Sequence, residues 1–144
     1  MADTTGFPPC RRTVLKGAAV AGVAGLGLTA CGAGSEDGAD STGPTSPVEL
    51  GAASEVPVGG AKLYRDAKVV VAQPTKGVYK AYSAVCTHQG CVCDKLTGTT
   101  LSCPCHGSGF NAATGAVENG PASRPLPAVG IRVEAGKLVA GPSV

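Results

Sequence analysis

Apolar residues in this chain gather in short runs that are separated by turn residues. Residues 69–73 and 78–82 are such runs, and they flank residues 74–77, which have the composition of a turn. Residues 131–134 alternate apolar and polar side chains and lead into the turn sequence Ala-Gly at 135–136. Because alternation with a period of two marks a half-buried strand, these patterns predict two β-hairpins.

No stretch from residue 48 onward has a helical period with capping residues. We therefore predict that residues 48–144 form one small all-β domain of short antiparallel strands. Aromatic residues make up 3% of the chain and tryptophan is absent, so few large side chains are available to fill a core. Such a small domain needs additional cross-links, from disulfides or a metal centre, to stiffen it.

The front of the chain has the composition of an export signal. Arg11 and Arg12 resemble the pair in a twin-arginine signal, and residues 17–30 form a weakly apolar run of 14 residues, short of the roughly 20 that span a bilayer. Residues 28–31, Leu-Thr-Ala-Cys, resemble a lipobox, which implies lipidation at Cys31. Two alternatives remain, an ordinary secretory signal and an uncleaved anchor helix.

The predicted organisation is a signal peptide over residues 1–30, a lipidated Cys31 with a flexible tether through residue 47, and the β domain. The tether is rich in Gly, Ser, Asp and Pro. Removing residues 1–30 removes three of the 12 basic residues and one of the 10 acidic residues, which leaves nine of each. This balance, together with the scarcity of aromatic residues, argues against a nucleic-acid partner.

Candidate chemistry is concentrated in one short region. Both histidines and five of the seven cysteines lie between residues 86 and 106. The first half contains Cys86 and His88 in the sequence Cys-Thr-His-Gln-Gly-Cys, and the second contains Cys103 and His106 in Cys-Pro-Cys-His-Gly-Ser. Each half therefore offers one thiolate and one imidazole, and each carries a further cysteine.

These paired halves resemble the Rieske iron–sulfur family. The resemblance implies a [2Fe–2S] cluster in which Cys86 and Cys103 hold one iron while His88 and His106 hold the other. It also implies a Rieske-type fold of short antiparallel sheets with a cluster-binding loop subdomain. Neutral imidazoles carry less negative charge than thiolates, so the reduction potential is expected between about −150 and +300 mV, against about −400 mV for plant-type clusters.

A structural zinc site is the alternative for the same four residues, because zinc accepts two Cys and two His ligands. Zinc fingers usually pair Cys with Cys and His with His at short spacing. Here each short segment pairs Cys with His, which favours two loops that hold different irons.

The family resemblance also suggests roles for the other cysteines. Cys91 and Cys105 occupy positions that form a disulfide in high-potential members, and the alternative is two reduced, buried thiols. A disulfide requires an oxidising compartment, which agrees with export. Cys93 is left over, either as a buried free thiol or as a competitor of Cys91 for Cys105.

Two further residues are expected to tune the cluster. Ser108 matches a family serine whose hydroxyl points at a bridging sulfide, and the alternative is a simple turn residue. Phe110 stands where high-potential members carry Tyr, so it lacks a donor to a ligand sulfur. Residues 120–127 resemble the proline-rich loop that covers a third side of the cluster, although an ordinary surface loop would have a similar composition.

We therefore expect a single-electron carrier that is lipid-anchored at the outer face of a bacterial cytoplasmic membrane and that serves redox partner proteins. One alternative is the Rieske subunit of a quinol–cytochrome c oxidoreductase, although Gln89 and Phe110 depart from the residues usual there. Another is the small subunit of an exported oxidoreductase. The disulfide pair disfavours an oxygenase ferredoxin. The sequence shows no nucleophile or general base of an enzyme with its own substrate pocket.

Overall fold

The computed structural model describes residues 43–142 and residue 144. The predicted signal peptide, Arg11, Arg12, Cys31 and the tether through residue 42 lie outside the described residues. Strands dominate the described part of the chain, with one short 3-10 helix at Ala53–Glu55, and the predicted all-β class is confirmed. Within this part of the chain, no helix is long and apolar enough to cross a membrane.

The strands form two antiparallel sheets. In chain order they are β1 (Val48–Ala52), β2 (Ala61–Tyr64), β3 (Val69–Thr75), β4 (Val78–Ser83), β5 (Lys95–Thr97), β6 (Thr100–Ser102), β7 (Gly109–Asn111), β8 (Val117–Asn119), β9 (Ala128–Glu134) and β10 (Lys137–Gly141). The six-stranded sheet has the order β1-β10-β9-β4-β3-β2, and the four-stranded sheet has the order β5-β6-β7-β8. The four-stranded sheet is thus inserted between β4 and β9.

Strand β3 separates two hydrophobic clusters. Val69, Val70 and Val71 are all 0% exposed. Because successive side chains on a strand point to opposite faces, Val70 packs in one cluster while Val69 and Val71 pack in the other. The cluster around Val70, which we call the site-side core, also contains residues of the four-stranded sheet and its loops. A continuous apolar run is therefore needed at β3, since both of its faces are covered.

The turn between β3 and β4 is shorter than the sequence predicts. Residues 74–77 were expected to form the turn, but Thr75 pairs with Val78, so that only Lys76 and Gly77 connect the strands. Pro74 lies within β3, where the pairing register shifts between Ala72 and Thr75. A proline is tolerated at such an irregularity because no ladder hydrogen bond is required from its nitrogen.

The predicted hairpin at residues 131–140 is present as β9 and β10, joined by Ala135 and Gly136. Both of these residues have positive φ, 47° for Ala135 and 79° for Gly136. Two-residue hairpin turns of this type favour Asn or Gly at the first position, because a Cβ is strained in the left-handed region. Ala135 is therefore a strained residue at an exposed turn.

Replacing Ala135 with Asn should stabilise the domain by about 1 kcal/mol, because Asn tolerates a positive φ better than Ala does. Chemical denaturation followed by circular dichroism would measure the gain. Ala116 is also exposed and lies outside the positive-φ positions, so Ala116→Asn is the matched control and should give no gain. Equal effects of the two changes would contradict the strain argument.

Candidate metal centre

The two predicted ligand segments fold into loops with the same backbone pattern. In the first loop (residues 86–91), the Cys86 N–H donates to the Cys91 carbonyl at 2.7 Å, and the Gly90 N–H donates to the Cys86 carbonyl at 2.9 Å. In the second loop (residues 103–108), the Cys103 N–H and the Gly107 N–H make the corresponding bonds. Gly90 and Gly107 both have a φ near +75°, which explains why each loop carries glycine at its fifth residue.

Thiols and imidazoles lie at different depths in these loops. Cys86 is 3% exposed and Cys103 is 2% exposed, and both are free thiols. His88 is half-buried and His106 is exposed. The predicted sulfur ligands therefore face the site-side core, while the predicted nitrogen ligands lie towards the surface.

The two histidine rings come together across the loops. Their centroids are 4.8 Å apart and the rings meet edge to face, with an interplanar angle of 87°. The Nδ1 atom of His88 is buried and finds no hydrogen-bond partner among the residues that the structure describes. A buried ring nitrogen normally has a partner, so an unpartnered one is suited to coordinate a metal.

A cluster of three cysteines beside the loops has the spacing of a metal site but not its chemistry. Among the described residues, one group of three potential ligands has its donor atoms within 4.8 Å of one another, and it consists of Cys91, Cys103 and Cys105. Two of these form a disulfide and offer no thiolate, so the group is not a metal site.

The predicted disulfide is confirmed. Cys91 in the first loop is bonded to Cys105 in the second, with Cα atoms 6.5 Å apart. The alternative of two reduced thiols at these positions is therefore wrong. Because the bond joins the loops directly, it fixes the distance between the two halves of the predicted ligand set.

Cys93 is the free thiol behind the first loop, and it does not compete for Cys105. It is 0% exposed and belongs to the site-side core with Cys86 and Cys103. Burial raises the pKa of Cys93 to about 12, and the neighbouring sulfurs of Cys103 and Cys86 add to this rise. The thiol is consequently protonated at neutral pH.

The proline-rich loop (residues 120–127) contacts both ligand loops. The Thr87 hydroxyl donates to the Arg124 carbonyl at 2.6 Å, and the Ala122 N–H donates to the Ser108 Oγ at 3.1 Å. Ser108 is 0% exposed, and because its oxygen accepts from Ala122, its own O–H remains available as a donor. This arrangement agrees with the predicted tuning role of Ser108, which stays a prediction.

Phe110 lies on β7 and is 0% exposed. It belongs to the site-side core, where it is grouped with the predicted ligands Cys86 and Cys103. Its ring fills space beneath the loops but offers no hydrogen-bond donor. The position is therefore suited to tuning the reduction potential of the predicted cluster, as the sequence predicts.

Two positioning residues were missed in the sequence. Thr87 lies between the predicted ligands Cys86 and His88, and its hydroxyl donates to the proline-rich loop. Asn119, at the end of β8, donates from its side chain to the Gly107 carbonyl at 3.4 Å. No local pattern indicates this contact, because it joins residues 12 positions apart.

Comparison with known proteins supports the resemblance seen in the motifs. The family model for the Rieske [2Fe-2S] domain matches residues 46–130. The plasma-membrane Rieske protein PetC3 of the cyanobacterium Synechocystis has a similar structure, with a TM-score of 0.53 and 30% identity over 66% of this chain and 99% of that one.

Two curated relatives add further similarity. The cytochrome b6-f complex iron-sulfur subunit of Chlorobaculum tepidum is 38% identical over 93 residues, which cover 62% of this chain and 50% of the relative. A Haloferax mediterranei protein described as the Rieske subunit of a respiratory nitrate reductase is 48% identical over 64 residues, covering 43% of this chain and 29% of the relative. The chain thus spans half or less of the length of these two relatives.

Removing the disulfide should weaken the site end of the domain. The bond joins cysteines 14 positions apart, and closing a loop of this size stabilises a protein by about 3 kcal/mol. We expect the double variant Cys91→Ala/Cys105→Ala to lose about that much free energy of unfolding, measured by denaturant titration. Reductant should lower the stability of the unaltered protein towards that of the variant and leave the variant unchanged. A variant as stable as the parent would contradict this role.

Proposed function

Because this chain belongs to the Rieske [2Fe-2S] domain family, we propose that it transfers single electrons between redox partner proteins through a [2Fe-2S] cluster. Cys86 and Cys103 would hold the inner iron, and His88 and His106 would hold the outer iron. The cluster, when bound, accepts and releases one electron without a change in its ligands.

One observation carries this proposal, the division of the four ligands by depth. Both thiols are at most 3% exposed, whereas His106 is exposed and touches the half-buried His88 ring. Thiolates carry negative charge and are sheltered from water here, while the imidazoles form the edge that a partner can approach. The Nδ1 atom of His88 is buried and has no hydrogen-bond partner among the described residues, so it is free to bind the outer iron.

The exposed residues around His106 form the surface on which a redox partner would dock. Gln89, Pro104 and Gly107 are all exposed, as is Cys105 of the disulfide. The loop backbone at this surface is held by internal hydrogen bonds and by the disulfide. A partner would therefore meet a preorganised tip, which lowers the cost of association.

A second candidate is the Rieske subunit of a larger membrane complex. The similarity to a cytochrome b6-f iron-sulfur subunit favours a quinol-oxidising complex, and the similarity to a nitrate reductase Rieske subunit favours an exported oxidoreductase. Gln89 supports the free carrier, because a polar residue at the tip is less suited than an apolar one to a dry, permanent interface.

We further propose that residues 1–30 direct export of the domain and that Cys31 is lipidated. The lipid would hold the domain at the outer face of the cytoplasmic membrane. The twin arginines and the Leu-Thr-Ala-Cys sequence support this location, and so does the plasma-membrane origin of the similar cyanobacterial protein. The Cys91–Cys105 disulfide adds support, since such bonds persist in oxidising compartments.

The cluster assignment can be tested on protein that has been matured by an iron–sulfur assembly system. We expect equal amounts of iron and acid-labile sulfide, and a paramagnetic resonance signal that appears on reduction. Cys103→Ala and His106→Ala should lose this signal. Gln89→Ala, an exposed neighbour in the first loop, is the matched control and should keep it. Protein that contains zinc and stays silent after reduction would overturn the proposal.

The tuning role of Phe110 makes a separate prediction. Phe110→Tyr adds a hydroxyl beside the ligand sulfurs, and a hydrogen bond of about 0.5–1.5 kcal/mol to the reduced centre would raise the potential by about 20–60 mV. Voltammetry of the purified protein measures this shift. Phe110→Leu disturbs the same core without adding a donor, so it should lower stability and leave the potential nearly unchanged. A lower or unaltered potential in Phe110→Tyr would count against this role.

Lipidation is tested by comparing two cysteines of the N-terminal region. Mass spectrometry of membrane-bound protein should show acyl groups on an N-terminal Cys31. Cys31→Ser should release the domain from washed membranes or leave its signal uncleaved, while Cys10→Ser should behave like the parent. Residues 1–30 retained on membrane-bound parent protein, with a free thiol at Cys31, would refute the lipid anchor.

A further inference from the structure

Arg124 is the one charged residue, apart from the histidines, in the three loops that surround the predicted cluster. These are the two ligand loops, residues 86–91 and 103–108, and the proline-rich loop, residues 120–127. The other residues of the three loops are neutral. Any further charge that a partner meets at this surface therefore comes from outside the loops.

The backbone of Arg124 is held beside the histidine edge. Its carbonyl accepts a hydrogen bond from the Thr87 hydroxyl at 2.6 Å, and Thr87 directly precedes His88. Ordinary bond lengths then keep the guanidinium less than about 20 Å from the His88 backbone, whichever way the exposed side chain points. In about 0.01 M salt the screening length is about 30 Å, so an ion that approaches the edge experiences this charge.

The charge of Arg124 is not neutralised within the part of the chain that the structure describes. Its guanidinium makes no ion pair with the described residues, whereas three other basic side chains are paired with glutamates. Pro125 follows it and restricts the backbone of the loop. An exposed cation on a restrained loop, with no carboxylate of its own domain bound to it, is available to a partner.

The charged residues that flank the loops offset one another. Lys68 borders the first ligand loop but shares its groove with Asp66. Arg65 donates to the Asp94 carbonyl, which keeps a cation near that carboxylate. The Glu118 carboxylate accepts from a side-chain amide of β7, and because the next residue of β8 faces the second ligand loop, Glu118 faces the other way. The histidine edge consequently carries the positive sign of Arg124.

Building on the proposed function, we infer that Arg124 is the docking cation of this carrier and that its redox partner is a protein with carboxylate side chains around its own redox centre. Attraction between the cation and an acidic surface raises the rate of encounter and orients the partner towards the imidazoles, while a basic surface is repelled. Because an exposed ion pair adds little binding energy, the effect belongs to the association rate more than to affinity.

The test measures how fast the reduced, cluster-loaded protein is oxidised by two small probes of opposite charge, ferricyanide and tris(phenanthroline)cobalt(III). Both probes take the electron from the same cluster, so a change in its potential moves both rates in the same direction, and their ratio reports the charge at the edge. In Arg124→Gln the ratio of the ferricyanide rate to the cobalt rate should fall roughly threefold to tenfold at low ionic strength, and by less in high salt. Arg124→Lys should restore most of the ratio.

Lys76→Gln is the matched control. Lys76 is also exposed, but it lies in the turn at the opposite end of β4 from the first ligand loop. Removing its charge should leave the ratio at the parent value. An unchanged ratio in Arg124→Gln, or an equal fall in both variants, would overturn the inference.

A second experiment separates a protein partner from an anionic membrane surface, since both offer negative charge. Arg124→Gln should slow oxidation by an acidic c-type cytochrome and should not slow oxidation by a basic one. In the parent, vesicles that contain phosphatidylglycerol should give the same rate as vesicles of neutral phosphatidylcholine. If the anionic vesicles slow the parent but not Arg124→Gln, or if the acidic cytochrome reacts equally with both proteins, the inference is wrong.

Both experiments use protein whose reduced form gives the expected resonance signal. In such protein, rates that do not depend on Arg124 defeat the docking role and leave the proposed function intact. Absence of the signal in the parent defeats the proposed function itself.

Discussion

The disulfide between Cys91 and Cys105 is the constraint on which the site depends. Each ligand loop is closed by only two internal backbone hydrogen bonds of the same pattern, and each exposes much of its surface. Neither loop has enough apolar area to hold its own position against the other. The covalent bond sets their separation, and the proline-rich loop then joins them through Thr87 and Ser108.

The depth of each ligand follows from the way in which the loops are attached to the sheets. Cys86 follows β4 and Cys103 follows β6, so both enter their loops while the chain is still within the site-side core. The histidines come two and three residues later, after the chain has turned outward. The same local geometry therefore produces sheltered sulfurs and an accessible imidazole edge, which is the polarity that a carrier of electrons between proteins requires.

The interior of the domain contributes to the chemistry as well as to stability. Strand β3 separates a cluster that is purely structural from one that reaches the ligand sulfurs. In the latter, Phe110 and Cys93 belong to the same buried cluster as Cys86 and Cys103. A small domain has no room for a separate second layer around its metal centre, so the residues that pack this core also surround the predicted sulfur ligands.

The sequence by itself determined the all-β class and the two hairpins, because alternation and turn composition are local properties. The pairing of Cys91 with Cys105 was implied only by the resemblance of the motifs to the Rieske family, and the structure decided it against the alternatives. Only the tertiary structure decided three other features. These are the position of the turn at Lys76–Gly77, the contacts of Thr87 and Asn119, and the burial of Cys93. Each of these depends on which strands pair and on which side chains meet across the core. From the sequence alone Cys93 could be a buried thiol or a competitor for Cys105, and only the packing places it in the core with Cys86 and Cys103.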